Sequence, residues 1–234
     1  MINKKKIELY ADGLTIEEFE SDNAIEIDGY TFNPSIFKKN GAKDYIDYSK
    51  QIISKCNTKP LSLEVIADTE TEMINQAMIL SNLSKNVYVK IPITYTNRKY
   101  TSNVISSLVK SNVKLNITAI FTLDQIKEIL PIVKDTENIL SVFAGRIFDC
   151  GQDANFIMNE ICKFVKSSST CKVLWASPRM TYDYINAINS GCDIITMQLS
   201  QIKKLEMFGK NLSDYSLETV KQFHQDASSS GYKF

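Results

Sequence analysis

Lys90 lies in the run Val87-Tyr88-Val89-Lys90-Ile91-Pro92-Ile93, whose other members are apolar or aromatic. An ammonium in such surroundings is costly to bury without a partner. Desolvation disfavours the charged form of an amine, so a lysine here tends toward the neutral nucleophile that attacks a carbonyl and forms a Schiff base. The alternative is a strand-end lysine whose stem is buried while its head reaches solvent. Polar residues also close or interrupt other apolar runs: Asp12, the segment Thr31-Phe32-Asn33-Pro34-Ser35, Glu64, Asn116 with Thr118, Ser141-Val142-Phe143 followed by Arg146, and Ser177 with Arg179. Singly, each reads equally well as a turn former, a cap or a surface charge. Together they offer an amine, carboxylates, amides, hydroxyls and guanidinium groups at corresponding places in successive units of the chain.

To bring them together, the elements that carry them must share one edge. Short apolar runs predict strands over 7–11, 24–27, 61–66, 87–91, 114–120, 139–143, 172–176 and 193–197. Amphipathic patterns predict helices over 70–83, 102–109, 123–133, 153–165 and 182–188, with Asp or Thr near several starts as N-caps, and a C-terminal amphipathic helix around His224. Strand and helix in alternation imply a parallel sheet. Eight units in 234 residues come to about 29 residues each, which fits a compact α/β protein of the (β/α)8 barrel type with a C-terminal helix. A doubly wound open sheet is the alternative. In a barrel, chemistry gathers at the C-terminal strand ends, where these polar residues fall. The spacing of two between Asn116 and Thr118 puts both side chains on one strand face.

Composition narrows the class. The 234 residues, 44% hydrophobic, suffice for one large domain spanning 1–234, and no Pro/Gly/Ser-rich linker interrupts them. Lys+Arg and Asp+Glu both number 27, and no basic stripe points to nucleic acid or an anionic membrane, so a small molecule is the expected partner. The basic start Met1-Ile2-Asn3-Lys4-Lys5-Lys6 is followed by Glu8, Asp12 and Glu17 rather than a secretory apolar stretch, and no run approaches a membrane span, so a cytoplasmic protein is expected. The five cysteines include no C-x-x-C pair, and His224 is the single histidine. A disulfide framework, a zinc knuckle and a multi-histidine metal site are therefore not expected. The eight glycines form neither G-x-G-x-x-G nor a P-loop. The expectation is an enzyme without metal or cofactor, working through its own side chains, with homo-oligomeric assembly.

From Asp12 to Asp226 the chain resembles the transaldolase family. The resemblance is carried by Tyr-Ala-Asp12, Thr31-Phe-Asn33-Pro-Ser, Ser62-Leu-Glu64-Val, Val89-Lys90-Ile-Pro-Ile-Thr94, Asn116-Ile-Thr118-Ala-Ile-Phe, Ser141-Val-Phe143-Ala-Gly-Arg146-Ile-Phe-Asp149 and Trp175-Ala-Ser177-Pro-Arg179. It implies a (β/α)8 barrel of class I aldol chemistry, with Lys90 as the Schiff-base lysine on the fourth strand. It also implies transfer of a dihydroxyacetone unit between sugar phosphates, as in the pentose phosphate pathway. On this footing Lys90, Asp12, Glu64 and Thr118 form the catalytic set. Glu64 and Thr118 shuttle protons through a water, and Asp12 takes the C4 hydroxyl proton. Thr31, Asn33, Asn116, Ser141 and Phe143 bind the donor, amides being suited to fixed orientation of hydroxyls. Arg146, Arg179 and Ser177 suit a terminal phosphate, since guanidinium presents paired donors to its oxygens.

Phe143 bears on which reaction is completed. Fructose 6-phosphate aldolases resemble the same barrel but carry a tyrosine there, whose hydroxyl can help deliver water, and a glutamine where this chain has Glu64. Both differences point toward a transferase, although Phe143 also reads as a plain core aromatic. Val142 stands where the family commonly has proline, and Pro178 where an aromatic is frequent, which could reshape the donor end. Trp175, Tyr88 and Tyr30 read as barrel packing or as narrowing the pocket. Two other readings stay open: a free aldolase, including one acting on a specialised sugar in carbohydrate biosynthesis, and a sugar-phosphate-binding barrel without catalysis.

Overall fold

In a computed structural model describing residues 7–20 and 25–233, eight parallel strands pair in chain order and close into a barrel. They are β1 (Glu8–Asp12), β2 (Gly29–Thr31), β3 (Leu61–Glu64), β4 (Val87–Pro92), β5 (Leu115–Ile120), β6 (Ile139–Val142), β7 (Lys172–Trp175) and β8 (Ile194–Met197). Because β1 pairs with both β2 and β8, no sheet edge is left, and the open-sheet alternative falls. The helices are α1 (Pro34–Lys39), α2 (Tyr45–Cys56), α3 (Glu70–Ser81), α4 (Ser102–Lys110), α5 (Leu123–Val133), α6 (Ala144–Asp149), α7 (Ala154–Ser168), α8 (Asp183–Ser190), α9 (Leu199–Lys203) and α10 (Leu212–Ser229).

Strand alternation sets what each side chain faces. On β3, β4 and β5, Leu63, Val89, Ile91, Leu115 and Ile117 are fully buried in the main core with Met73, Ala77, Ile105, Leu108, Ile126 and Ile129 of the helices. Each such side chain contributes about 1.5–3 kcal/mol by burial, and Leu63→Ala or Ile117→Ala would cost about 2–5 kcal/mol. The alternate residues form a second, smaller cluster of Tyr10, Ile139, Leu174, Ala176 and Ile194, with Tyr88 and Phe143 against it. These apolar groups fill the barrel interior below the polar strand ends.

The helix ends follow local chemistry. Thr122 and Gln125 make a reciprocal capping box at α5, and Asp153 caps α7 through Asn155 N and Phe156 N. Thr69 and Thr101 make no side-chain cap; Thr101 instead donates to Pro92 O at 2.6 Å.

The expectation of a strand over 24–27 is corrected. Ala24 lies outside the described residues, as does the basic segment 1–6, and residues 25–28 are irregular; the strand is Gly29–Thr31. Ile27 is buried, which explains the apolar signal, but its carbonyl accepts from Lys59 Nζ at 2.6 Å and Asp28 N donates to Leu9 O at 2.7 Å. Gly29, which reads as a turn residue, belongs to the strand because the ring of Tyr10 fills the space its side chain would occupy, within 2.6 Å of a Cβ built there. The C-terminal helix is present as α10, and its apolar residues Leu212, Tyr215, Leu217, Val220 and Phe223 are exposed.

Candidate active site

Strand register brings the polar residues to one level. Glu64 pairs with Lys90 and Lys90 with Asn116 across β3, β4 and β5, while Asp12 pairs with Thr31 across β1 and β2. A cavity of about 510 Å³ opens above them at the C-terminal ends of the strands. Lys90, Asp12, Thr118, Asn33, Thr31, Asn116, Ser141, Phe143, Arg146 and Ser177 all line it. Glu64 and Arg179 do not, although each touches a residue that does.

Lys90 sits at the base, 6% exposed, with Nζ 3.0 Å from Glu64 Oε2 and donating to Phe32 O at 3.1 Å. The head group does not snorkel to bulk solvent. Thr118 Oγ1 is buried without a protein partner among the described residues. The next residue, Ala119, has φ 59°, at a point where β5 carries one extra residue against β6 between Ile117 and Ile120. Asn116 and Thr118 both face the cavity by strand alternation, and the bulge after them turns Ile120 into the outer core with Leu115 and Ile117 while β5 goes on to pair with β6.

Asp12, partly buried at the end of β1, accepts from Thr31 Oγ1 at 2.7 Å, and Thr31 Oγ1 lies 2.6 Å from Thr196 Oγ1 on β8. Burial raises the Asp12 carboxyl above the usual range, opposed by the Thr31 hydrogen bond and by Lys90, with Glu64 adding to the rise. Asn116 donates to Ser62 Oγ at 3.0 Å and accepts from Ser141 Oγ at 2.6 Å, a chain spanning β3, β5 and β6 that fixes the amide plane. Asn33 Oδ1 caps α1 through Ile36 N at 2.9 Å, leaving its amide N–H groups for a ligand.

The guanidinium groups are differently engaged. Arg146 lies over the Phe143 ring, 5.1 Å from its centroid, and faces the cavity. Arg179 is held by both carboxylate oxygens of Asp149 and donates through Nη1 to Ser177 Oγ at 3.0 Å. The Arg179 hydrogen bonds hold the Asp149 carboxyl below its usual range. Gly145 makes this corner possible. A Cβ there would fall 1.6 Å from Ser177 O, so only glycine lets the start of α6 approach the segment after β7. Ser177 itself has φ 60°.

Trp175, Tyr88 and Tyr30 do not line the cavity. Trp175 is fully buried against Phe148, Tyr30 packs on Phe19 and Tyr88 joins the lower interior, so all three are packing residues. Among the described residues, no group of three or more His, Cys, Asp and Glu comes together to hold a metal ion. No helix among them is long and apolar enough to cross a membrane.

Sequence reasoning passed over Thr196, Ser62 and Lys39. Thr196 and Ser62 stand two residues from Ile194 and Glu64, so strict alternation along β8 and β3 would have found them. Lys39, which lines the cavity from the last turn of α1, gives no signal beyond that of an ordinary exposed helical lysine.

The fold has counterparts of very different sequence: a deoxyribose phosphate aldolase from Aeropyrum pernix superposes with TM-score 0.59 at 10% identity, over 88% of this chain and 91% of that one. Sequence relatives are more specific. A probable transaldolase of Methanococcus maripaludis strain C7 is 33% identical over 214 residues, 91% of this chain and 94% of that protein. A probable transaldolase of Clostridioides difficile is 31% identical over 221 residues, 94% of this chain and 97% of that protein. The family model described as Transaldolase/Fructose-6-phosphate aldolase matches residues 9–233, which takes in every strand end that lines the cavity, and the chain therefore belongs to the transaldolase/fructose-6-phosphate aldolase family.

Proposed function

We propose that this protein transfers a dihydroxyacetone unit from a ketose phosphate to an aldose phosphate through a Schiff base on Lys90. The observation that carries the reading is a nearly buried amine at the base of a polar cavity, 3.0 Å from a carboxylate that can accept its proton. Glu64 takes the proton, and neutral Lys90 Nζ attacks the C2 carbonyl of the ketose. The carbinolamine loses water to give an iminium. Asp12 removes the C4 hydroxyl proton, the C3–C4 bond breaks, and its electron pair moves to the iminium nitrogen, leaving an enamine and a free aldose. A second aldose accepts the enamine carbon, takes the proton back from Asp12, and hydrolysis frees Lys90.

Several contacts support these roles. A raised carboxyl makes Asp12 a stronger base than an ordinary aspartate. Thr118 Oγ1, with no protein partner among the described residues, is free to bind the hydroxyl lost from the carbinolamine. The Ser62–Asn116–Ser141 chain holds an amide rigid against the donor hydroxyls. Arg146 is the guanidinium open to a phosphate, with Ser177 beside it. Phe143 offers no hydroxyl to the enamine, which favours transfer over release.

The test is incubation with fructose 6-phosphate and borohydride, with erythrose 4-phosphate present or absent. A dihydroxyacetone-sized mass on the peptide containing Lys90, with turnover only when the acceptor is supplied, is expected. Labelling of another lysine would remove the mechanism, and equal turnover without acceptor would make the protein an aldolase.

A further inference from the structure

The hydroxyl chain from Asp12 to β8 has a direction. Thr31 Oγ1 carries one proton and donates it to Asp12 Oδ1 at 2.7 Å. The 2.6 Å contact between Thr31 and Thr196 must then be donated by Thr196. With Asp12 ionised, both hydroxyl protons point toward the carboxylate and every donor in the chain is used. With Asp12 protonated on Oδ1, Thr31 must turn its proton toward Thr196, whose own proton must turn into the cavity it lines. A proton on the second oxygen leaves the chain in place but removes the charge that strengthens it, so the arrangement is best matched to the ionised carboxylate. Both threonines are buried, at 3% and 5% exposure, so bulk water does not replace either contact cheaply.

We propose that Thr196 is a positioning residue that acts through Thr31 to hold Asp12 ionised and fixed in orientation, with its second oxygen free for the substrate hydroxyl. The inference deepens the proposed function and rests on Asp12 as the base of the cleavage step. Each of the other strand-end groups facing Asp12 has a known sense. Lys90 from β4 and Thr31 from β2 favour the carboxylate, Glu64 from β3 opposes it, and β8 contributes only the Thr196 hydroxyl. Glu18 and Lys39 line the same cavity. Thr196 is thus the member of the network that can be changed without removing a charge or a direct ligand of Asp12.

The experiment compares the parent protein with Thr196→Val, which keeps the shape, and Thr196→Ser, which keeps the hydroxyl. The acid limb of the kcat profile should move upward in Thr196→Val by about half a pH unit to one unit, a threefold to tenfold change in proton affinity. Thr196→Ser should restore it, and donor KM should stay within about twofold of the parent. An infrared titration of the Asp12 carboxyl, identified by difference against Asp12→Asn, reads the same shift without turnover. Where Thr196→Val does not fold, Thr196→Ala is titrated in its place. An unmoved carboxyl titration overturns the proposal. So does a raised KM with an unmoved acid limb, which would make Thr196 a substrate contact. Failure of borohydride to trap an adduct on Lys90 would overturn the reading of the reaction instead, while leaving the carboxyl titration to decide the role of Thr196.

Discussion

Replacing Lys90 by methionine keeps the volume of the side chain but removes the ammonium that faces Glu64 Oε2 at 3.0 Å and donates to Phe32 O at 3.1 Å. The methionine stem recovers most of the apolar contact. What remains is a carboxylate without its partner. Stripping one member from a fully buried pair costs about 3–5 kcal/mol. The Glu64 side chain keeps 19% exposure, enough to draw in water, so the cost falls to about 2–4 kcal/mol. Lys90→Met should therefore be both inactive and measurably less stable. Glu64→Gln alone leaves the ammonium with an amide and a carbonyl, a loss of about 1–2 kcal/mol. The double variant carries neither charge and should be more stable than Lys90→Met, with a coupling energy on the order of 1–2 kcal/mol. Equilibrium urea unfolding followed by the fluorescence of Trp175, the single tryptophan and fully buried on β7, reads each value. A Lys90→Met protein as stable as the parent, with purely additive effects in the double variant, would refute the claim that this pair is formed and desolvated in the folded state.

Arg146→Ala should raise KM for phosphorylated substrates by about 2–3 kcal/mol relative to unphosphorylated ones, and Arg179→Ala by less, since Arg179 is held by Asp149; steady-state kinetics on both substrate types decides. Asp12→Asn should be inactive yet more stable than the parent at neutral pH. The folded-state carboxyl of Asp12 is raised, so the native state binds its proton more tightly than the unfolded chain, and this favourable contribution, complete at low pH, is lost as pH rises through the folded value. Unfolding at pH 4 and pH 8 should show the advantage of the asparagine only at the higher pH; an equal advantage at both would contradict the burial argument. Phe143→Tyr adds one oxygen at the cavity wall and should increase dihydroxyacetone release from fructose 6-phosphate without acceptor while lowering transfer, measured by coupled detection.

The barrel and most of its site were legible because the signals are local and repeated. Val87 to Ile91 reads as a strand from β-branched content alone, and Leu123 to Val133 as a helix from periodicity and a Thr122 cap, and both appear. The polar residues that the barrel brings together stood out where a polar side chain broke an apolar run, as at Lys90, Glu64 and Asn116. The second strand was misplaced because Gly29 owes its strand geometry to the ring of Tyr10, nineteen positions away in the chain, and no local pattern encodes that contact. Thr196 escaped because threonine is ordinary in a strand. Its significance depends on a partner on β2, brought beside β8 only when β1 closes the barrel between them. The ion pair between Arg179 and Asp149 likewise joins the segment after β7 to the end of α6, and sequence offered both residues without saying that one would hold the other.

The features that disfavour stability gather at one end of the barrel. The Lys90–Glu64 pair, the raised Asp12 carboxyl and the unpartnered Thr118 hydroxyl lie at the C-terminal strand ends, as do the left-handed backbones of Ala119 and Ser177. The two left-handed backbones and the unpartnered hydroxyl each cost about 1–3 kcal/mol. The lower interior, with Tyr10, Ile139, Leu174 and Ile194, and the layer between strands and helices are apolar and closely packed. Every strand is hydrogen-bonded on both sides, so the backbone beneath the site cannot relax toward a cheaper arrangement. A lysine on a mobile loop would turn to solvent, and an aspartate there would ionise freely. Here the register that pairs Glu64 with Lys90, and Lys90 with Asn116, fixes an amine, a carboxylate and an amide at one level, and strand alternation puts Thr118 on the same face as Asn116. The closed barrel thus holds these groups in an environment that each of them alone would leave.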